Sequence, residues 1–527
     1  MSRVNVLIVG AGPAGLATAI RLKKKLNREK RSESVVVIDK APKAGYHSLS
    51  GAVFEAQCLD ELVPGWREPR NLSVLSMVKI ERDDLYYLSP RRAFKFPEWI
   101  VPKPMRHRGD YAISLGRMVD WLTQIAREEG VEIHSGFAAS RMIMEGDVVK
   151  GVTLVDLGLD KEGKPKSNFL SGEAVEANVT VLADGSRGVL SGQLIERVGT
   201  GKNPQVYSLG IKQLVKLSKD NAFGNNRSLH TLGFPSRPSV FGGGFLYSMG
   251  GGVVAVGLIL GLDWEYQDLN PQQEFEIFKN HPFVSQLLKG GQVLAAGVKT
   301  IPEGGYYALP RLYTNGAVIV GDAAGFVNVE KTKGLHYAIR SGMSAADAIY
   351  EAVVKKDFFK TTLVAYQKNL EEREILRELY HARNFRQAFR LGLYLGAPLS
   401  RVQAWFPFRL GMKKDYLATK SGSKLNRKST EALDKAQFVS LSGAVHREDE
   451  PPHIKILNAE LCKECTVRYA NPCVYFCPGK VYRMKGGELI LSPSNCMHDG
   501  SCAVKCPYQN ILWTCPEGGE GPRFKQM

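Results

Sequence analysis

The sequence predicts an α/β protein in several parts. It reads as a dinucleotide-binding body of parallel sheet and helices, a mainly-β insertion, and a small α+β tail built around cysteines. Three observations predict this. Val4–Gly15, VNVLIVGAGPAG, is an apolar strand that runs into G-x-G-x-x-G and then into a helical pattern. A later apolar strand, Gly316–Val320, ends in Gly321-Asp322 followed by small residues. Eight of the nine cysteines lie between Cys462 and Cys515. At 527 residues, 44% hydrophobic and 23% charged, the chain is long enough for roughly two to four domains with proper cores.

The first element is the strand Val6-Leu7-Ile8-Val9, rich in β-branched residues. Gly10 permits the turn, Gly12 lets the backbone approach a pyrophosphate, and Gly15 lets helix and strand pack closely. Pro13 and Ala14 complete the run, and the phosphates would sit on the helix N-terminus, where free N–H groups favour negative charge. A second strand, Val35–Ile38, ends at Asp39, a carboxylate suited to ribose hydroxyls. A merely tight βα turn explains the glycines but not strand, helix and terminal carboxylate together.

Further along, Phe94–Met105 (FKFPEWIVPKPM) carries too many prolines for a helix or central strand. It reads as a lid over a core or as a loop touching a membrane. Leu115–Glu129 has apolar residues at helical spacing, and strands are expected around Val131–Ile133, Val148–Val155 and Val175–Leu182. The last runs through Ala183-Asp184 to Gly185, either an ordinary strand exit or a return of the chain to a cofactor. Residues 205–310 read as mainly β, with one helix near Gln272–Lys289. Within them Gly242-Gly243-Gly244 between aromatics leaves backbone groups open to close approach, or marks a bulge. Asp322, at the end of the Gly316–Val320 strand, is placed for the ribityl or pyrophosphate region, and the two fingerprints together point to FAD. A helix is expected over Gly334–Ile349, its positive end able to face a flavin. Thr361–Arg390 shows long helical patterns. Phe385–Phe408 mixes aromatics with Arg386, Arg390 and Arg401, suiting either a membrane-interface segment or a core helix with snorkelling arginines. The polar stretch 418–455 reads as a linker.

The parts expected are therefore an FAD-binding two-dinucleotide-fold (Rossmann-like) domain over 1–204 and 311–417, the insertion over 205–310, the linker, and a ferredoxin-like α+β domain over 456–527. The net charge is +17 and the pI about 9.3. That suits an acidic partner or anionic lipid. No nucleic-acid motif appears, so no nucleic-acid partner is expected. No run reaches the ~18 apolar residues of a membrane span. The chain starts almost directly on its first strand, which leaves no room for a signal peptide and gives a cytoplasmic expectation.

The tail reads Cys462-x2-Cys465-x7-Cys473-x3-Cys477-Pro478, then Cys496-x5-Cys502-x3-Cys506-Pro507. Each block ends in C-x3-C-P, as in two-cluster ferredoxins, where the last cysteine of one block ligates the other cluster. One [4Fe-4S] cluster is assigned to Cys462, Cys465, Cys473 and Cys506. The other site has Cys477, Cys496 and Cys502, with Asp499 where a fourth cysteine belongs. Either Asp499 is a ligand, or the cluster is [3Fe-4S]; Cys515 is a weaker substitute. Zinc competes, since thiolates bind it too, but the paired blocks favour iron.

Over nearly its full length the chain resembles the electron transfer flavoprotein–ubiquinone oxidoreductases. The resemblance rests on Ile8–Leu16, His47-Ser48-Leu49-Ser50-Gly51-Ala52, Gly242–Tyr247, Gly325-Phe326-Val327-Asn328-Val329, Lys333-Gly334-Leu335-His336, Phe476-Cys477-Pro478 and Pro516-Glu517-Gly518-Gly519. It implies FAD, with Gly185, Gly325 and Asn328 added to the cofactor site. It also implies a quinone held by the backbone at Gly242 and Gly243, and attachment to one membrane leaflet through about Gly45–Trp66 and Gly392–Met412. The usual member has one [4Fe-4S] cluster; the extra cysteines here resemble the ferredoxin partner of Fix-type bifurcating complexes. The function expected is transfer of electrons from reduced electron transfer flavoprotein, through clusters and FAD, to ubiquinone or menaquinone. The place expected is the cytoplasmic face of a bacterial-type inner membrane. A quinone-reducing subunit of a Fix-type complex and a geranylgeranyl-reductase-like flavoenzyme are the alternatives.

Overall fold

The computed structural model describes residues 2–50, 53–218, 221–427, 435–524 and 527; Gly51 and Ala52 of the His47 motif lie outside them. The body is organised by a sheet in which Ser2–Val9 lies between Ala174–Leu182 and Val35–Asp39, all parallel. Val6, Leu7 and Ile8 have no exposed surface. A strand buried on both faces needs helices above and below it, and near-continuous apolar sequence is what this chain supplies. The helix Pro13–Arg28 crosses the helix Leu335–Lys355 closely: a Cβ on Gly342 would stand 2.3 Å from the Ala14 carbonyl oxygen. The short strand Ala317–Ile319 pairs in parallel with Ala174–Leu182, so the second fingerprint arrives beside the first.

The second layer is a seven-stranded sheet. Its order is Gln292–Pro302, Tyr207–Lys216, Val253–Gly261, Gly242–Ser248, Arg227–Gly233, Arg82–Leu88, Ala93–Lys95. The insertion expected over 205–310 is therefore incomplete. Two strands come from the first part of the chain, and Arg82–Leu88 joins in parallel. Asp84 on that strand is buried, its carboxylate 2.8 Å from the Arg227 guanidinium. That ion pair and the strand's ladder cover an edge that would otherwise be left open.

Two helical expectations and the linker are revised. The single helix near Gln272–Lys289 is two, Pro271–Lys279 and Pro282–Leu287, because Pro282 has no N–H to continue the first. Thr361–Arg390 breaks into short helices at Lys360–Leu363, Ala365–Glu372, Ile375–His381 and Phe385–Ala388. Glu374, in left-handed conformation at φ 61°, makes one of the breaks. The stretch 418–455 is not a free linker. Arg427 pairs with Glu274 at 2.8 Å, and the helix Lys435–Ser442 buries Phe438 in the apolar core of the β layer. Residues 428–434 lie outside those described.

The cysteine-rich tail forms two small two-stranded sheets, Ile454–Ile456 with Ile511–Trp513 and Tyr482–Lys485 with Glu488–Leu491, and the helices Ala459–Tyr469 and Ser501–Lys505. Phe476, Val481 and Met497 share one apolar core with Ile211, Val256 and Val298 of the β layer, so the tail is docked.

Candidate flavin cavity and cysteine centres

Body and β layer enclose a cavity of about 1380 Å³, larger than the roughly 300–1,000 Å³ of a single small-molecule pocket. Gly10, Gly12, Pro13, Ala14, Asp39, Gly185 and Asp322 line one end, and Gly242 and Gly243 line the β-layer wall. Gly10 has φ 109°, and a Cβ there would meet the Ala183 carbonyl oxygen at 2.3 Å, so only glycine fits. Gly12 has nothing within 4 Å on its open side, which is the approach a pyrophosphate needs. Gly15 stands behind the wall and does the packing: a Cβ would lie 2.0 Å from the Gly10 carbonyl oxygen. The donor set fits a dinucleotide.

Asp39 accepts the amides of Ala11 and Ala41, each at 2.7 Å, which fixes the turn as well as offering the remaining lone pairs. Asp322 is half-buried on the cavity wall; desolvation pushes its carboxyl up to about 6, and Lys299 works against that. Lys299 is itself lowered to about 8 by burial. Gly325 and Asn328 are not on the cavity wall. Asn328 pairs with Lys333 across a bridge and donates to the Tyr337 hydroxyl at 3.2 Å, holding the loop from behind.

Sequence reasoning missed Lys212, Lys299 and His230, all on the cavity wall. A lysine at an inward position in the apolar strand Tyr207–Lys216 was the available signal. His230 Nε2 lies 2.5 Å from the Tyr247 hydroxyl, and burial, with His107 and Lys333 nearby, holds the imidazole neutral. His336 is buried 3.6 Å from the Glu55 carboxylate, outside the cavity lining.

The far end of the cavity is lined by Pro97, Trp99, Ile100, Leu393 and Pro398. Around it Trp99, Leu391, Tyr394, Leu395, Trp405 and Phe408 are exposed, Trp405 to 81%. Arg401 donates to the Ile100 carbonyl at 2.8 Å, and the Tyr87 and Tyr394 hydroxyls meet at 2.9 Å, so the loop and the helix Gly392–Val402 form one surface.

The tail brings together the two expected sets. Cys465 and Cys473 are pushed up by burial and by crowding from Cys462 and Cys506. Cys477 and Cys502 are raised to about 11 and 12 by burial and by Asp499. Buried thiols that crowd one another, none in a disulfide, fit a site that takes them as metal thiolates. Asp499 Oδ1 accepts the Ser501 amide at 2.9 Å, and the Asp499 carbonyl accepts the Thr300 hydroxyl at 2.8 Å, tying this set to the cavity wall. Cys515 belongs to neither set and lines the cavity. Tyr482 is buried beside Cys502.

Residues 207–301 match the model described as ETF-QO, ubiquinone-binding. Residues 430–525 match electron transfer flavoprotein-ubiquinone oxidoreductase, 4Fe-4S, and residues 8–66 match an NAD(P)-binding Rossmann-like domain. The chain is 38% identical to the mitochondrial electron transfer flavoprotein-ubiquinone oxidoreductase of Arabidopsis thaliana, over 99% of this chain and 84% of that one. It is 37% identical to that of Pseudomonas aeruginosa, over 99% and 98%. The chain belongs to the electron transfer flavoprotein–ubiquinone oxidoreductase family. Among solved structures, a geranylgeranyl bacteriochlorophyll reductase-like protein of Thermoplasma acidophilum superposes with a TM-score of 0.56 at 19% identity, covering 82% of this chain and 94% of that one. That likeness is one of fold. As a member of this family the chain is an oxidoreductase with FAD and a [4Fe-4S] cluster. Among the described residues no helix is long and apolar enough to cross a membrane.

Proposed function

We propose that the protein takes electrons from reduced electron transfer flavoprotein and passes them, through iron–sulfur clusters and FAD, to a quinone that enters from a membrane. The observation that carries this is the single cavity running from the phosphate turn at Gly10–Ala14, past Gly242 and Gly243, to the exposed aromatic surface at Trp99 and Leu393. Its size suits a dinucleotide and a second ligand side by side.

FAD would lie with its pyrophosphate on Gly12 and the helix Pro13–Arg28, and its ribose at Asp39. It supplies one- and two-electron chemistry when bound. Lys299 and Lys212 line the cavity wall and would offer positive charge to a bound ring. Backbone groups of Gly242 and Gly243 would hold a quinone carbonyl. The exposed apolar surface would lie in the lipid interface as a monotopic attachment, and the net charge of +17 favours an anionic leaflet. This fits the cytoplasmic face of a bacterial inner membrane.

In the tail, Cys462, Cys465, Cys473 and Cys506 would hold one [4Fe-4S] cluster, and Cys477, Cys496, Cys502 and Asp499 a second. Cys462 is the half-exposed member, so the first set is the nearer to a docking donor. The second, tied through Thr300 to the cavity wall, is the nearer to the flavin.

The test is anaerobic: reduced electron transfer flavoprotein is mixed with the purified protein in vesicles containing ubiquinone or menaquinone. Donor oxidation that requires both the protein and a quinone is expected. Bleaching of FAD and clusters with no quinol formed overturns the quinone step.

A further inference from the structure

The β layer turns one face to the cavity, and its register can be followed row by row. One row runs Gly297, Lys212, Gly257, Phe245, His230 across five strands. The next runs Lys299, Gly210, Ile259, Gly243. A Cβ on Gly257 would stand 2.2 Å from the Phe245 ring, so the bare glycine lets that ring lie across the row toward Lys212. Gly210 also lines the cavity, with the Ile259 Cδ1 packed over it, 3.0 Å from where a Cβ would stand. Neighbouring strands are about 4.8 Å apart. Lys212 and Gly243 thus stand two strands apart, about 10 Å, in adjacent rows of the face that lines the cavity.

Lys212 is buried, and its ammonium donates to the Ser50 carbonyl at 2.9 Å. Burial alone lowers it, to about 7, and no carboxylate offsets that. The titratable groups facing it are few. Lys299 stands on the Gln292–Pro302 strand, partly offset by Asp322, Asp499 and Asp39. His47 comes from the loop that carries Ser50, held neutral by burial. His230 and Tyr247 stand beyond Phe245. The Val253–Gly261 strand offers Ile259, Gly257 and Ala255 on this face, none of which titrates. His230 is kept neutral and bonded to Tyr247, so it is no acid near neutral pH.

We propose that Lys212 is a proton donor to the quinone oxygen, supplying one of the two protons that quinone reduction consumes. This rests on the quinone reading above. A bound reduced flavin would supply two electrons and one proton; the Lys212 ammonium gives the second proton to the quinone oxygen, so that both quinone carbonyls become hydroxyls. Lys212, left as a neutral amine, regains its proton from solvent before the next turnover.

The experiment uses the full-length protein with its cofactors, as wild type, Lys212→Met and Lys212→Arg. Calorimetry follows binding of an ionised hydroxyquinone, which mimics the charge that develops on the oxygen, and of an uncharged quinone. Lys212→Met should weaken the hydroxyquinone by about tenfold or more and leave the uncharged quinone within roughly twofold. Lys212→Arg should keep the hydroxyquinone, because its charge is permanent. Both variants should lose about 10²-fold or more in kcat for quinone reduction, the size usual for a lost general acid. The wild-type kcat should fall as pH rises through about 7 to 8, and Lys212→Met should lack that limb. Lys212→Arg turning over at the wild-type rate, or Lys212→Met keeping the alkaline limb, overturns the assignment. A wild type that reduces no quinone overturns the quinone reading as well, which separates the two failures.

Discussion

Lys212 reverses the usual effect of a charged residue on stability. Its folded-state value, about 7, lies below the ordinary 10.5, so the folded protein binds fewer protons than the unfolded chain between those pH values. Stability therefore rises with pH across that window, and below about pH 7 the full penalty of a buried charge is present. Lys212→Met should raise the thermal midpoint at pH 6, equivalent to a few kcal/mol, and the gain should shrink toward zero near pH 10. A gain independent of pH would mean the lysine is solvated in the folded protein. Asp499 tests a second buried titratable group. A carboxylate is a harder ligand than thiolate for iron, so the iron at that corner should be lost first on mild oxidation. Wild type should then show the EPR signal of a three-iron centre, and Asp499→Cys should suppress it. Equal signals in both proteins would place Asp499 outside the cluster. Residue by residue, the sequence is unevenly legible. Cysteine spacing announces itself because ligation demands it. Lys212 and His230 do not, because their meaning comes from which rows of a sheet face a cavity, and that depends on pairings between distant strands.

At the scale of the element, the turn at Gly10–Gly15 separates folding from binding. Gly15→Val would force its Cβ into the Gly10 carbonyl, 2.0 Å away, and unseat helix from strand. Gly12→Ala meets no protein atom within 4 Å and takes up space only on the ligand's side. Flavin absorbance per purified chain should therefore be reduced in both. The thermal midpoint of the flavin-free protein should fall for Gly15→Val and stay near wild type for Gly12→Ala. An equal loss of stability in both would mean the turn is not the phosphate seat. This βαβ unit was legible because its signals are local: an apolar strand, glycines at fixed spacing, a helix. The strand Arg82–Leu88 was not, since its Asp83 and Asp84 look like surface until Arg227 and Ser228 arrive from more than a hundred residues away. The helical pattern over Thr361–Arg390 was legible as helix but not as several pieces, because Glu374 adopts a left-handed conformation that nothing in its side chain announces.

For the whole molecule, the cavity, the exposed aromatics and the charge have to be taken together. On the proposed reading, a quinone with a long isoprenoid tail would have to drag apolar surface through water to reach Gly243 by any route but the membrane. The cavity's mouth at Trp99 and Leu393 lies beside the exposed Tyr394, Leu395 and Trp405, which would seat it in the acyl boundary. Two forces would hold it there and they respond differently to salt. Attraction of the basic chain to anionic lipid is screened over about 10 Å at 0.1 M salt, whereas aromatic insertion is not. Wild type should bind anionic vesicles at low salt and retain part of that binding at high salt. Trp99→Asp with Trp405→Asp should keep the low-salt part and lose the rest. The same double variant should reduce a short-chain, water-soluble quinone at close to the wild-type rate, yet reduce a long-chain quinone in vesicles about tenfold more slowly. If both quinones slow equally, the substitutions have damaged the cavity rather than its seat in the membrane. If neither slows, the substrate enters by another route and the aromatic surface serves a partner protein instead.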